Sequence, residues 1–101
     1  MSKKDFYRQL NSQVAAIIAG EPDEIANMAN MSAILFEALD DVNWAGFYRV
    51  VNNGLILGPF HGKVACIRIP MGKGVCGTAA KENKTQRIAD VHQFSGHITC
   101  D

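Results

Sequence analysis

Trp44-Ala45-Gly46-Phe47-Tyr48-Arg49-Val50-Val51-Asn52-Asn53-Gly54-Leu55-Ile56-Leu57-Gly58 is the stretch that decides the fold. Trp44, Gly46, Tyr48 and Val50 alternate with Ala45, Phe47, Arg49 and Val51, the period of a strand with one face partly wet. Asn52-Asn53-Gly54 is a hairpin signal, because Asn and Gly tolerate positive φ. Leu55 to Gly58 is expected to return as the second strand. A third strand is expected over Val64 to Ile69, with Val64, Cys66 and Arg68 on one face and Ala65, Ile67 and Ile69 on the other, closed by Pro70.

Upstream, the period changes to that of helices. Phe6, Tyr7, Leu10, Val14, Ile17 and Ile18 recur at helical spacing and Gly20 is a fitting terminator. Pro22 suits a first helical position, with Asp23 and Glu24 favouring the positive end of the dipole. The helix that follows carries Ile25, Met28, Met31, Ile34, Leu35 and Leu39 on one broad apolar face. Downstream, Met71-Gly72-Lys73-Gly74 reads as a turn into a short helix from Val75 to Glu82. Thr85 to Ala89 is expected to be a fourth strand and Asp90 to Asp101 a polar loop. Two helices followed by a meander of strands define an α+β class with a mainly antiparallel sheet, in one domain spanning 1–101. Ending one residue after a cysteine, the chain is expected to lack the elements that would close the sheet.

Composition narrows the function classes. The 101 residues are 48% hydrophobic and 20% charged, which is ordinary for a globular protein, and the formal net charge is +0. No basic stripe is available for a phosphate backbone, so nucleic acid is not an expected partner. No run approaches the roughly 20 apolar residues of a membrane span. The start, Met1-Ser2-Lys3-Lys4-Asp5-Phe6, has no apolar run behind its lysines, so no secretory signal is expected and the expected location is the reducing cytoplasm. Three cysteines there are not a structural disulfide framework.

Each cysteine has two readings. Cys100 stands in His97-Ile98-Thr99-Cys100-Asp101, a polar setting in which an imidazolium lowers a thiol's pKa, although the adjacent carboxylate raises it. Cys76 falls in the first turn of a helix, where exposed amides favour a thiolate; a small residue packing helix against sheet fits the same position. Cys66, inside an expected strand, reads most simply as a buried small hydrophobe. The spacings contain neither Cys-x-x-Cys nor His-x-x-x-His, so His61, His92 and His97 would complete a zinc site only through the tertiary fold, and no metal is expected. Gly72-Lys73-Gly74-Val75-Cys76-Gly77-Thr78 lacks the Gly-Lys-Ser/Thr ending of a phosphate loop. Trp44 is either core filling or a flat apolar wall for a small ligand.

Four stretches taken together carry a resemblance. They are Asn43-Trp44-Ala45-Gly46-Phe47-Tyr48; Leu57-Gly58-Pro59-Phe60 running to Gly62-Lys63-Val64-Ala65-Cys66-Ile67-Arg68-Ile69; Gly74-Val75-Cys76-Gly77-Thr78-Ala79-Ala80; and Asp90-Val91-His92 with Gly96-His97-Ile98-Thr99-Cys100-Asp101. In this order and spacing they resemble the free methionine-(R)-sulfoxide reductases, a GAF-domain family. The likeness runs from about Phe6 to Asp101, with His61, Ser95 and Thr99 standing where Gln, Pro and Ala are common.

The resemblance implies a GAF-like fold that reduces the R epimer of free methionine sulfoxide, without a cofactor. It makes Cys100 the attacking thiolate, left as a sulfenic acid, Cys66 the first candidate to resolve it and Cys76 the alternate. It implies recycling by thioredoxin and a homodimer. Trp44 and Tyr48, on one strand face, would hold the substrate's S-methyl group. The carboxylates that the family uses to protonate the departing oxygen lie beyond its last cysteine, so weak or no activity is expected of the 101 residues alone. A GAF-type module that senses a small ligand without chemistry is the alternative.

Overall fold

The computed structural model describes residues 2–97. Its elements are, in order, α1 (Lys3–Ile18), α2 (Glu24–Ala38), β1 (Trp44–Val51), β2 (Gly54–Gly62), β3 (Arg68–Pro70), α3 (Gly74–Glu82) and a short 3-10 turn (Val91–Gln93). The three strands form one sheet in the order β1-β2-β3. The class is α+β, as the periodicities require. The described residues gather into two compact units. One holds the chain as far as Phe47 with Gly58–Gly62, the other Tyr48–Leu57 with the residues from Lys63 onward.

In the first unit α1 and α2 begin on side-chain caps. Ser2 Oγ accepts from the Asp5 N–H at 3.1 Å and Asp23 Oδ1 from the Ala26 N–H at 2.8 Å. Pro22 therefore precedes the cap and does not open the helix, a correction of two positions. Leu10 is buried on α1, while Tyr7 and Ile17 stay 46% and 47% exposed, so the inward stripe is narrower than the periodicity suggested. On α2 the buried position is Ser32, at 0%, and Ile25 is exposed. The hydroxyl of Ser32 lies 2.8 Å from Met28 O and 3.2 Å from Pro59 O, linking α2 to β2.

The second unit contains the hairpin turn. Asn52 and Asn53 have φ of 49° and 65°, the two positive values that mark a type I′ turn and match the twist of the flanking strands. β2 pairs antiparallel with β3, with Gly54 opposite Pro70, Leu55 opposite Ile69 and Ile56 opposite Arg68. Leu55 and Ile69, at 4% and 7% exposure, are the buried pair of this register.

Two strand expectations need correction. The third strand starts at Arg68, not Val64. Beyond the Ile56–Arg68 pair one more ladder bond forms, from Leu57 N–H to Ile67 O at 2.8 Å, and residues 64–66 have no regular structure. Thr85 to Ala89 is no strand: with Gln86 and Ile88 half-buried it is neither helical nor paired among the described residues. α3 begins one residue earlier than expected and ends on Asn83, in the left-handed region at φ 50°, with Lys84 N–H reaching back to Ala79 O at 3.0 Å.

Candidate functional site

Three of the five residues singled out by sequence fall in the second unit. Tyr48 stands in the middle of β1 and is half-buried. Its hydroxyl donates to the carbonyl oxygen of Cys66 at 2.7 Å, near the usual length for O–H···O. Cys66 lies in the irregular connection between β2 and β3, not inside a strand, and it is held in a disulfide.

Cys76 is a free thiol in the first turn of α3, exposed on one side. Desolvation by the neighbouring protein raises its pKa above the ordinary 9.0. The effect opposes the thiolate expected at a helix N-terminus. The same surroundings reach Tyr48: its pKa is raised above 10.0, first by burial and second by the charge that Cys76 would carry. Tyr48 thus stands against Cys66 through a hydrogen bond and within electrostatic reach of Cys76.

Local packing explains where α3 puts its cysteine. A Cβ on Gly77 would meet Pro70 O at 2.6 Å, so only glycine lets this turn of the helix lie on the end of β3. Gly72 N–H bonds Gly77 O at 2.8 Å and Gly74 N–H bonds Gly96 O at 3.1 Å, tying the turn to the segment after the 3-10 element. At the 3-10 turn itself Asp90 caps His92, with Oδ1 accepting from the backbone N–H at 3.0 Å and lying 3.2 Å from the ring Nδ1. The rings of His92 and His97 meet edge to face at 5.7 Å.

Trp44 belongs to the first unit, and the structure there is a tight corner. Its indole stacks on Phe60, centroids 5.3 Å apart and planes 17° from parallel. A Cβ on Gly46 would stand 2.8 Å from Phe60 Cα and 2.9 Å from Pro59 O, and one on Gly62 would meet Asn43 O at 2.7 Å and Trp44 Cδ1 at 2.9 Å. The two strands lie backbone to backbone around the indole because neither glycine carries a side chain. Sequence reading passed over Ser32, which fixes Pro59 from the helix side. The signal was available, since Met28, Ser32 and Phe36 repeat at a spacing of four and place a hydroxyl on an apolar stripe.

Cys100, the expected nucleophile, lies outside the described residues. Among the described residues no group of three His, Cys, Asp or Glu side chains is placed to hold a metal ion, and no helix is long and apolar enough to cross a membrane.

Comparison with known proteins supplies the context for this arrangement. No family model matches the chain. A free methionine-R-sulfoxide reductase of Escherichia coli is 56% identical over 101 residues, all of this chain and 61% of that protein. The solved free methionine-R-sulfoxide reductase of Neisseria meningitidis, in complex with its substrate, superposes with a TM-score of 0.94 at 41% identity, over 100% of this chain and 61% of that one. A solved GAF domain superposes at 0.92 with 42% identity, again over 100% and 61%. The chain spans about three fifths of the length of the curated relatives it matches. The α+β architecture described above is accordingly a GAF fold.

Proposed function

We propose that the chain belongs to the free methionine-(R)-sulfoxide reductase family, and that its protein reduces the R epimer of free methionine sulfoxide in the cytoplasm. Cys100 attacks the sulfoxide sulfur as a thiolate. Methionine leaves, the sulfoxide oxygen stays on Cys100 as a sulfenic acid, and the thiol has been oxidised by two electrons. Cys66 then displaces that oxygen as water, forming the Cys66–Cys100 disulfide, and the dithiol of thioredoxin returns both to thiols.

The observation that carries this assignment of roles is the difference between the two described cysteines. Cys66 is in a disulfide while Cys76 keeps its thiol, whose pKa burial raises. Cys100 is the remaining cysteine of the sequence and the proposed partner of Cys66. Cys76 is then the alternate resolving thiol, slower because a raised pKa leaves a smaller fraction of thiolate. Trp44, flat against Phe60, offers the aromatic surface for the S-methyl group; sulfur–aromatic contacts of this kind contribute roughly 0.3–1.5 kcal/mol. The unit is proposed to act as one GAF domain in a homodimer.

The test uses racemic free methionine sulfoxide with thioredoxin, its reductase and NADPH. Consumption should stop near half of the racemate and disappear in Cys100→Ser. Turnover that survives Cys100→Ser would overturn the mechanism. Binding of the sulfoxide without any turnover would move the reading to a sensor module.

A further inference from the structure

The phenol of Tyr48 does something that an aromatic wall does not require. Its hydroxyl is directed at the backbone of Cys66, 2.7 Å from the carbonyl oxygen. Beside the Cys66 disulfide, the connection it reaches has few ladder bonds to the sheet. The ladder ends at the bond between Leu57 N–H and Ile67 O, and residues 64–66 are outside it. Val64 and Ile67, which flank the cysteine and would pin the segment if they were buried, are 83% and 66% exposed.

We propose that Tyr48 is the positioning residue of the resolving thiol, its hydroxyl holding the Cys66 backbone so that the thiol meets the sulfenic acid as it forms. Condensation of Cys66 with the sulfenic acid is unimolecular, so its rate follows the fraction of time that the two sulfurs spend in reach. A connection fixed at the carbonyl of the reacting residue loses fewer conformations than one fixed at its ends alone. The donor is also durable: burial, and then the charge of a Cys76 thiolate, keep the phenol protonated above its ordinary range. The inference rests on the proposed reductase reading, but its test can be run without methionine sulfoxide.

Tyr48→Phe keeps the ring and removes the donor. In single turnovers of the full protein at saturating sulfoxide, methionine release reports substrate binding and attack, and the condensation that follows it is read separately. Disulfide formation should slow by about fivefold to tenfold, the effect of one lost hydrogen bond, and the sulfenic acid should accumulate as a dimedone adduct. Hydrogen peroxide supplies the independent arm. It oxidises Cys100 to the sulfenic acid with release of water, and the same slow condensation with Cys66 should follow. A protein that condenses slowly after peroxide yet never reduces methionine sulfoxide would sink the reductase reading and keep the tether.

Ala65→Gly loosens the same connection without touching Tyr48, and covers the case in which Tyr48→Phe fails to fold. It should also slow condensation several-fold while leaving methionine release unchanged. A raised KM with wild-type condensation in Tyr48→Phe would make the residue a substrate wall only, and unchanged condensation in Ala65→Gly would show that positioning does not set the rate. Either result overturns the proposal.

Discussion

Around Trp44 backbone lies against backbone, whereas the connection that carries Cys66 leaves the sheet and keeps two apolar side chains in solvent. The first arrangement uses two glycines, a stacked phenylalanine and a buried hydroxyl to leave one indole a single pose. The second uses a short ladder bond, a phenol and the disulfide at Cys66. The difference follows from what each residue is proposed to do. A wall for a methyl group gains from immobility. A resolving thiol must change bonding partner in every cycle, and a segment outside the ladder can shift without breaking strand hydrogen bonds.

Placing a methyl group in each region is the most severe way to break that contrast. Gly46→Ala puts a Cβ 2.8 Å from the Phe60 backbone, and Gly62→Ala adds a strained φ of +132° to a clash with Asn43 O. Overpacking against backbone costs about 1–3 kcal/mol or more, since no side chain can swing aside. Val64→Ala in the connection, at 83% exposure, should stay within about 0.5 kcal/mol of the parent. Urea unfolding of the three variants measures this. Equal costs in Gly46→Ala and Val64→Ala would remove the distinction between a packed corner and a loose connection.

These two regions also differ in how much of them could be read in advance. The hairpin was legible because Asn52 and Asn53 carry their own backbone preference, and the helices because their apolar spacing is long enough to average over exceptions. The cysteine connection was not. Val64 to Ile69 alternates like a strand, but alternation describes side chains and says nothing about whether a partner strand extends far enough to pair with residues 64–66. Thr85 to Ala89 failed for the same reason, with Ile88 its single large apolar residue. The thiols were less legible: the contexts of Cys66 and Cys76 fitted packing as well as chemistry and only the family resemblance suggested resolving roles, while the desolvation that raises the Cys76 pKa needed the packing of α3 onto the turn before it.

A smaller perturbation sharpens the corner from the helix side. The hydroxyl of Ser32 has one proton to share between Met28 O at 2.8 Å and Pro59 O at 3.2 Å, so the nearer carbonyl takes the larger part. Ser32→Ala should cost about 1 kcal/mol, within the range for one hydrogen bond at a buried site. Trp44 is the only tryptophan, so its fluorescence reports on this corner. Emission should shift in Ser32→Ala and stay constant in Val64→Ala. A shift confined to Val64→Ala would mean that the indole senses the connection and not the helix.

The subtlest effect lies among the titrating groups of the second unit. Cys76 and Tyr48 both have pKa values raised above 9.0 and 10.0, so the folded chain holds these two protons longer than the unfolded chain does. Stability from this source is complete below pH 9 and fades as the pH rises, first through the folded pKa of Cys76 and then through that of Tyr48. The two titrations are coupled, because a thiolate at Cys76 is the second cause of the shift at Tyr48. Cys76→Ser removes that charge and leaves the burial. In a Tyr7→Phe background, where Tyr48 is the remaining tyrosine, ultraviolet absorbance follows one phenol. Its midpoint should move down on Cys76→Ser yet remain above 10.0, since burial is the larger cause. An unmoved midpoint would separate the two groups and leave Tyr48 answering to Cys66 alone.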